Sequence, residues 1–308
     1  MARSKTSVTD ELLDAYVNRP LAAYVVRAVV STPVTPNQLT FVSMAFGVCG
    51  AVLVALGPSL SPFAPIGGGV CLFLSMVFDC SDGQLARARG GGSLSGRVLD
   101  GYADYVVAVA LHVSLLYALA HSFVALFGHP FGAFERFLVV LFAGASMAIN
   151  AGRFDYYKQR YLAHTDPSRE PERPQLFTDE AARAKSWLER AALLLFAAYV
   201  RTQQGPSFDE AARLAKETAS EPARRAQFAL ENGPLVRLWS FSGPTMHNGA
   251  LSAAAMLAPF VPQAFAWYCL FAIVPVNVYC AALRILQYRL LSRERTRESE
   301  RDQAVAAG

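Results

Sequence analysis

Long apolar runs without charge, separated by short polar breaks, organise this chain. No Asp, Glu, Lys or Arg occurs between Arg27 and Asp79, Asp104 and Glu135, Arg136 and Arg153, or Arg237 and Arg284, gaps of 51, 30, 16 and 46 residues. A helix that crosses a bilayer takes roughly 20 apolar residues. The first and last gaps therefore each predict two spans and the middle two one each, with short connections near Pro58, Gly128 and Pro262. Ahead of the first span, residues 10–30 mix apolar positions with Asp14, Arg19 and Arg27, the pattern of an amphipathic helix lying in the interface. Pro33 and Pro36 end it, and Thr35 offers a cap for the next helix with Pro36 in its first turn. The expected fold is an all-α integral membrane protein with six transmembrane helices and an interfacial amphipathic helix before them.

Between the fourth and fifth spans lies a polar insertion, which carries fourteen basic and twelve acidic side chains over residues 153–237. Its pattern predicts a Pro-rich loop, a helix from about Thr178 to Gln203, a second starting at Ser207 with Glu210 completing a capping box, and a third from Ser220 that ends before Gly233. The run Ala191–Val200 is too short to span and is expected to pack on the insertion or on the membrane surface. The resulting layout is an N-terminal part at 1–33, spans one to four at 34–158, the insertion at 159–232, spans five and six at 233–291, and a cytoplasmic tail at 292–308.

Composition agrees: 53% of the 308 residues are hydrophobic and 17% charged, against about 25% charged in soluble domains. That excludes a soluble enzyme, a disordered chain and a collagen-like fibre. Of the 28 Lys and Arg residues only Arg136 falls on the side of the connections near Pro58, Gly128 and Pro262. Cytoplasmic loops retain positive charge, so both termini and the insertion are expected in the cytoplasm. The net charge of +4 reflects this one-sided placement and calls for no nucleic-acid partner. The five cysteines show no C-x-x-C spacing and read as small buried hydrophobes.

Charge is scarce in the first four spans, and its exceptions cluster. Asp79 and Asp82 stand three residues apart at the end of the second span, and Asp100 and Asp104 four apart at the start of the third. Each pair shares a helix face, and the short loop with Gly90, Gly91 and Gly92 makes the two helices antiparallel neighbours. Four carboxylates together at a membrane edge need compensation. Oxygen-only ligands with open positions point to Mg2+ or Mn2+, and two divalent ions would balance four charges while leaving Lewis acidity for a pyrophosphate. Gly83, Ala86, Gly96 and Gly101 are small enough for close approach, and Arg87 supplies a cation for a phosphate oxygen. A cation transporter or channel is the alternative use of such acids, but its marks, acids on separated helices at mid-bilayer and paired helix breaks, are missing.

The string D-x2-D-G-x2-A-R-x8-G-x3-D-x3-D, filled by Asp79, Asp82, Gly83, Ala86, Arg87, Gly96, Asp100 and Asp104, resembles the signature of the CDP-alcohol phosphotransferases. Residues 36–40, P-N-Q-L-T, are similar to the segment that opens the first span in that family. The resemblance implies a six-span enzyme, commonly a homodimer, that transfers a phosphoalcohol from a CDP-linked donor such as CDP-diacylglycerol to an acceptor hydroxyl, with release of CMP, in phospholipid or related biosynthesis. It implies metal binding by Asp79, Asp82, Asp100 and Asp104, with Asp104 also the general base. It implies CDP contacts from Gly83, Ala86, Arg87, Gly96, Asn37 and Thr40.

Other polar groups carry two readings. Arg153, Lys158 and Arg160 end the fourth span, either as positive-inside anchors or as receivers of an acceptor phosphate. His247 and Asn248 follow Gly243-Pro244-Thr245 as a polar helix start or as lining of the acceptor pocket. His112 is a lone interior histidine, and Gly47 with Ala51 forms a small pair for helix packing.

Overall fold

The computed structural model describes residues 8–168, 173–184, 186–203 and 208–307. Among these no strand occurs. A π-helical turn at Asp14–Asn18 leads into α1 (Arg19–Val29), the expected amphipathic helix. Thr35 then starts α2 (Pro36–Leu60) with a full capping box: its hydroxyl accepts from Gln38 N, and Gln38 accepts from Thr35 N at 2.9 Å. The expected cap at Thr35 is therefore present, strengthened by a partner three residues on.

Three long helices follow: α3 (Ala64–Ala88), α4 (Leu94–Phe127) and α5 (Ala133–Thr165). Small residues let them approach. A Cβ on Gly47 would meet Val107 of α4 at 2.6 Å and Ser75 of α3 at 3.0 Å, and Ala51 is buried in the same core. Ser43 and Ser75 donate to each other's carbonyl at 2.9 Å, which satisfies polar groups that lipid would leave unpaired. Gly128 ends α4 in the left-handed region at φ 76°.

The insertion departs from its expected helices. In place of one helix from Thr178 to Gln203, α6 (Pro174–Arg183) and α7 (Trp187–Gln203) form a hairpin. Ala184 is extended, and the Ser186 hydroxyl accepts from Glu189 N at 3.1 Å to start α7. The break lets Phe177 and Ala181 face Leu193 and Ala197. Next comes α8 (Phe208–Ser220); the capping box expected at Ser207 lies outside the described residues. Then α9 (Pro222–Trp239) runs through Gly233 and Pro234, where it was expected to stop. An interior proline costs a helix about 3 kcal/mol. Burial of Leu235 and Trp239 against Phe154, Cys280 and Leu283 offsets it.

After a 3-10 turn at Ser240–Ser242, α10 (Pro244–Leu257) packs on α3, and α11 (Ala264–Ile273) leads into α12 (Pro275–Ala307). Pro275 breaks the last span. Asn277 donates to Ile273 O at 2.8 Å and Ser146 donates to Ala272 O at 2.7 Å, so the carbonyls at the break stay paired. Five helical segments among the described residues are long and apolar enough to cross a membrane: Pro36–Gly57, Ala64–Ala88, Leu94–Phe127, Ala133–Thr165 and Ala264–Ser292. The remaining apolar segment is α10. Its 14 residues rise about 21 Å, less than the roughly 30 Å hydrocarbon core. The chain is thus an all-α, multi-pass membrane protein whose largest core lies where α2, α3, α4, α5, α10 and α11 meet.

Candidate active site

The α3–α4 hairpin brings the acids together. Ser93 caps α4 by accepting from Gly96 N at 2.9 Å, and Gly90 and Gly91 make the turn at φ 97° and 120°, a region that costs glycine little. Across this turn, carboxylate oxygens of Asp79, Asp82 and Asp100 all lie within 4.8 Å of one another. Asp104, one turn along α4, stands outside that trio but opens with Asp79 into the same cavity. Thr40 of α2 donates to Asp82 Oδ2 at 2.5 Å and fixes that carboxylate from the neighbouring helix.

Asp100 Oδ1 is buried with no hydrogen-bond partner. A buried acceptor left unpaired costs about 1–3 kcal/mol. Three converging carboxylates with one orphaned oxygen fit a hard divalent cation, which takes oxygen ligands.

The other expected donor-site residues collect at the same end of the bundle. The Arg87 guanidinium folds back over Gly83, 3.4 Å from where a Cβ would stand. Asn37 Oδ1 lies 3.2 Å from the corresponding point on Gly96, and Ala86 Cβ lies 3.6 Å from that on Gly92. Any larger side chain at Gly96 would push Asn37 and Ser93 aside. Arg89 fastens the rim. It donates to Val34 O at 2.5 Å, Thr32 O at 2.8 Å, and Val29 O and Val30 O at 3.1 Å, pinning the link between α1 and α2.

From Asp79 and Asp104 a cavity of about 880 Å3 extends between α4 and α5. Its floor is apolar, with Val109, Val113, Phe137 and Leu141, all of them exposed on the flank of the bundle. Its other end is polar, with Asp14, Asp155, Lys158, Thr245 and Asn248. Lys158 thus faces the site, with its ammonium 5.6 Å from the Phe154 ring centroid. Arg153 and His247 do not line the cavity. Arg153 donates to Asn150 Oδ1 at 3.2 Å, Arg160 pairs with Glu294 at 2.6 Å, and His247 is buried with neither ring nitrogen partnered. His112 lines the apolar floor, its Nδ1 2.7 Å from Ala108 O.

Two residues of the segment before the first span, Asp14 and Glu11, belong to this cavity. Asp14, in the π-helical turn, accepts from Asn18 at 2.8 Å and from Thr245 at 3.0 Å. Glu11 accepts from Met246 N at 3.0 Å and so caps α10 from outside. Gly243 permits this, since a Cβ there would overlap the Glu11 carboxylate. Burial pushes the Glu11 carboxyl up to about 7, and the nearby Asp14 charge adds to the rise.

Comparison with known proteins bears on residues 33–170, which match the family model described as CDP-alcohol phosphatidyltransferase. The phosphatidylinositol phosphate synthase of Mycobacteroides abscessus is 36% identical over 104 residues, 33% of this chain and 43% of that protein. The protein of the same name from Mycobacterium marinum is 31% identical over 138 residues, 44% of this chain and 50% of its own. That of Corynebacterium glutamicum is 35% identical over 99 residues, 32% and 43% respectively. The chain spans about half the length, or less, of these relatives.

Proposed function

We propose that this protein, whose residues 33–170 match the CDP-alcohol phosphatidyltransferase family model, transfers a phosphoalcohol from a CDP-linked donor to an acceptor hydroxyl and releases CMP. The observation that carries the reading is the meeting of Asp79, Asp82 and Asp100 oxygens within 4.8 Å at the mouth of a cavity polar at one end and apolar along its floor. Residues 34–158 and 233–291 form the membrane part that holds the site, and 159–232 the insertion. The site faces the cytoplasm, and the working unit is a homodimer.

The donor is a lipid, CDP-diacylglycerol. Its diphosphate meets the acids, Arg87 and the small surfaces of Gly83, Ala86 and Gly96, while its acyl chains follow Val109, Val113 and Leu141 out to the bilayer. That apolar floor opens on the flank of the bundle, so acyl chains can reach it from the bilayer. The acceptor enters from the polar end, where Lys158 offers a positive charge and Asp155, Thr245 and Asn248 offer hydrogen bonds. That set suits a phosphorylated polyol, in keeping with relatives named phosphatidylinositol phosphate synthase.

Asp79, Asp82, Asp100 and Asp104 would hold two divalent ions, Mg2+ or Mn2+, and bound metal supplies charge stabilisation on the pyrophosphate and the departing CMP. Asp104 takes the proton of the acceptor hydroxyl, which is a poor nucleophile near pH 7 without a base within hydrogen-bond reach. Arg87 holds a phosphate oxygen in line through its fixed fork of donors. The acids stand at one end of a single hairpin, an arrangement that supports this chemistry over ion transport.

The test is CMP release in nanodiscs from CDP-diacylglycerol with inositol phosphate, glycerol phosphate and inositol as competing acceptors. We expect release with a phosphorylated polyol, dependent on added Mg2+ or Mn2+, and a loss of at least about 100-fold in Asp104→Asn, the lower end of what a positioned base contributes. Cation flux without CMP release would sink the reading.

A further inference from the structure

Helix α7 is apolar on two opposite faces. One face packs inward: Leu193, Ala197 and Val200 are buried against Phe177, Ala181 and Val98 of α4, and Tyr102 donates to Ala192 O at 3.3 Å. The other carries Trp187, Leu188, Leu194 and Leu195, which are 76%, 62%, 43% and 64% exposed. These recur at helical spacing; Arg190 and Arg201 separate them from the buried face along one edge, and Glu189, Ala192 and Phe196 along the other. A helix with apolar residues on two faces needs cover on both.

The place of α7 on α4 identifies that cover. Val98 and Tyr102, which α7 covers, continue along one stripe of α4 as Tyr105 and Val109, in the i, i+4, i+7, i+11 register. Tyr105 and Val109 are 60% and 63% exposed on a helix apolar enough to cross a membrane. The same stripe therefore passes from α7 to lipid within one turn, about 5 Å. Tyr105 is of the kind that sits at headgroup level, and exposed Trp187 beside Arg190 has the composition of an interfacial anchor. Phe196, between the two faces of α7, lines the cavity over Gly101.

We propose that α7 is docked in the lipid headgroup layer, with Trp187, Leu188, Leu194 and Leu195 immersed in it, so that the insertion rides on the bilayer at the rim of the cavity. The occupant of its outer face is the membrane itself. This rests on α4 spanning the bilayer and not on the transfer reaction, so its test reads position and not CMP.

The full chain in nanodiscs of phosphatidylcholine and phosphatidylglycerol is compared with Trp187→Phe, and the difference in tryptophan emission isolates Trp187 from Trp239 and Trp267. Phosphatidylcholine labelled with doxyl at carbon 5 should quench that difference at least twofold more strongly than label at carbon 12. Acrylamide in the water should quench it weakly. Leu195→Trp, two turns further along the same face, should repeat the result and serves if Trp187→Phe does not fold. Free quenching by acrylamide with none by doxyl lipid would place α7 in water and overturn the proposal. Shielding from both quenchers would overturn it too, in favour of a second copy of the chain on that face.

Discussion

Thr40 lies in the first span and Asp82 in the second, yet a 2.5 Å hydrogen bond joins them. A group that orients a metal-binding carboxylate typically contributes 10–100-fold to metal affinity. Thr40→Val keeps the shape and removes the donor, so the Mg2+ concentration needed for half-maximal CMP release should rise at least about tenfold, with activity recovered at high Mg2+. Unchanged metal demand would mean that the bond serves packing alone. Glu11 yields a prediction in pH. Its carboxyl titrates near 7 in the folded protein, against an ordinary value of 4.5, so between those values the folded state holds the proton that the unfolded state has lost. Its contribution is complete below about 4.5 and disappears as pH rises through about 7. Thermal stability in detergent should fall over that window, and Glu11→Gln should flatten the fall; an equal fall in the variant refutes the assignment. The Asp79 to Asp104 constellation was legible because its spacing is local to one hairpin. Glu11 and Asp14 were not, because their partners Met246 and Thr245 stand more than 230 positions away.

At the scale of elements, the spans were legible from charge gaps because lipid forbids unpaired polar groups and so permits little besides helices. The insertion obeys weaker rules. Gly233-Pro234 reads as a stop, but tertiary burial of Trp239 carries α9 past it. Ser186 and Glu189 form a helix start inside the stretch 178–203, whose pattern predicts a single helix. Contact between helices is also set by single glycines whose partners no periodicity reveals. A Cβ on Gly69 would stand 2.6 Å from Ser252 O and 3.1 Å from Met256 N of α10, while one on Gly67 meets only Leu53 Cδ1 at 3.6 Å. The first clash involves backbone, so α3 and α10 must separate. Gly69→Ala should therefore destabilise the protein by about 1–3 kcal/mol, the usual cost of overpacking. Gly67→Ala, with room and a gain in helix propensity, should be neutral or mildly stabilising. Equal unfolding temperatures for the two variants would show that α10 does not depend on this close approach.

For the whole molecule, length and charge point the same way. At 34 and 33 residues, α4 and α5 rise about 50 Å each, well beyond a hydrocarbon core of roughly 30 Å, so both must project. The first turns of α4 and the last turns of α5 project on one side, where α6 to α9 pack against them. The six-span expectation puts every Lys and Arg but Arg136 on that side, and Arg136 is itself turned inward, donating to Leu116 O at 2.7 Å. Retention of basic segments in the cytoplasm predicts that the aspartates, Lys158 and the insertion lie inside the cell, the side on which the proposed reaction would meet a water-soluble acceptor. Two exposed positions test this. His129 sits in the connection between α4 and α5, and Leu230, 79% exposed, lies on α9. In intact cells a membrane-impermeant maleimide should label His129→Cys and leave Leu230→Cys at the background of the parent protein. After permeabilisation Leu230→Cys should label as well. Labelling of Leu230→Cys in intact cells would turn the molecule over and put the acids on the outer face.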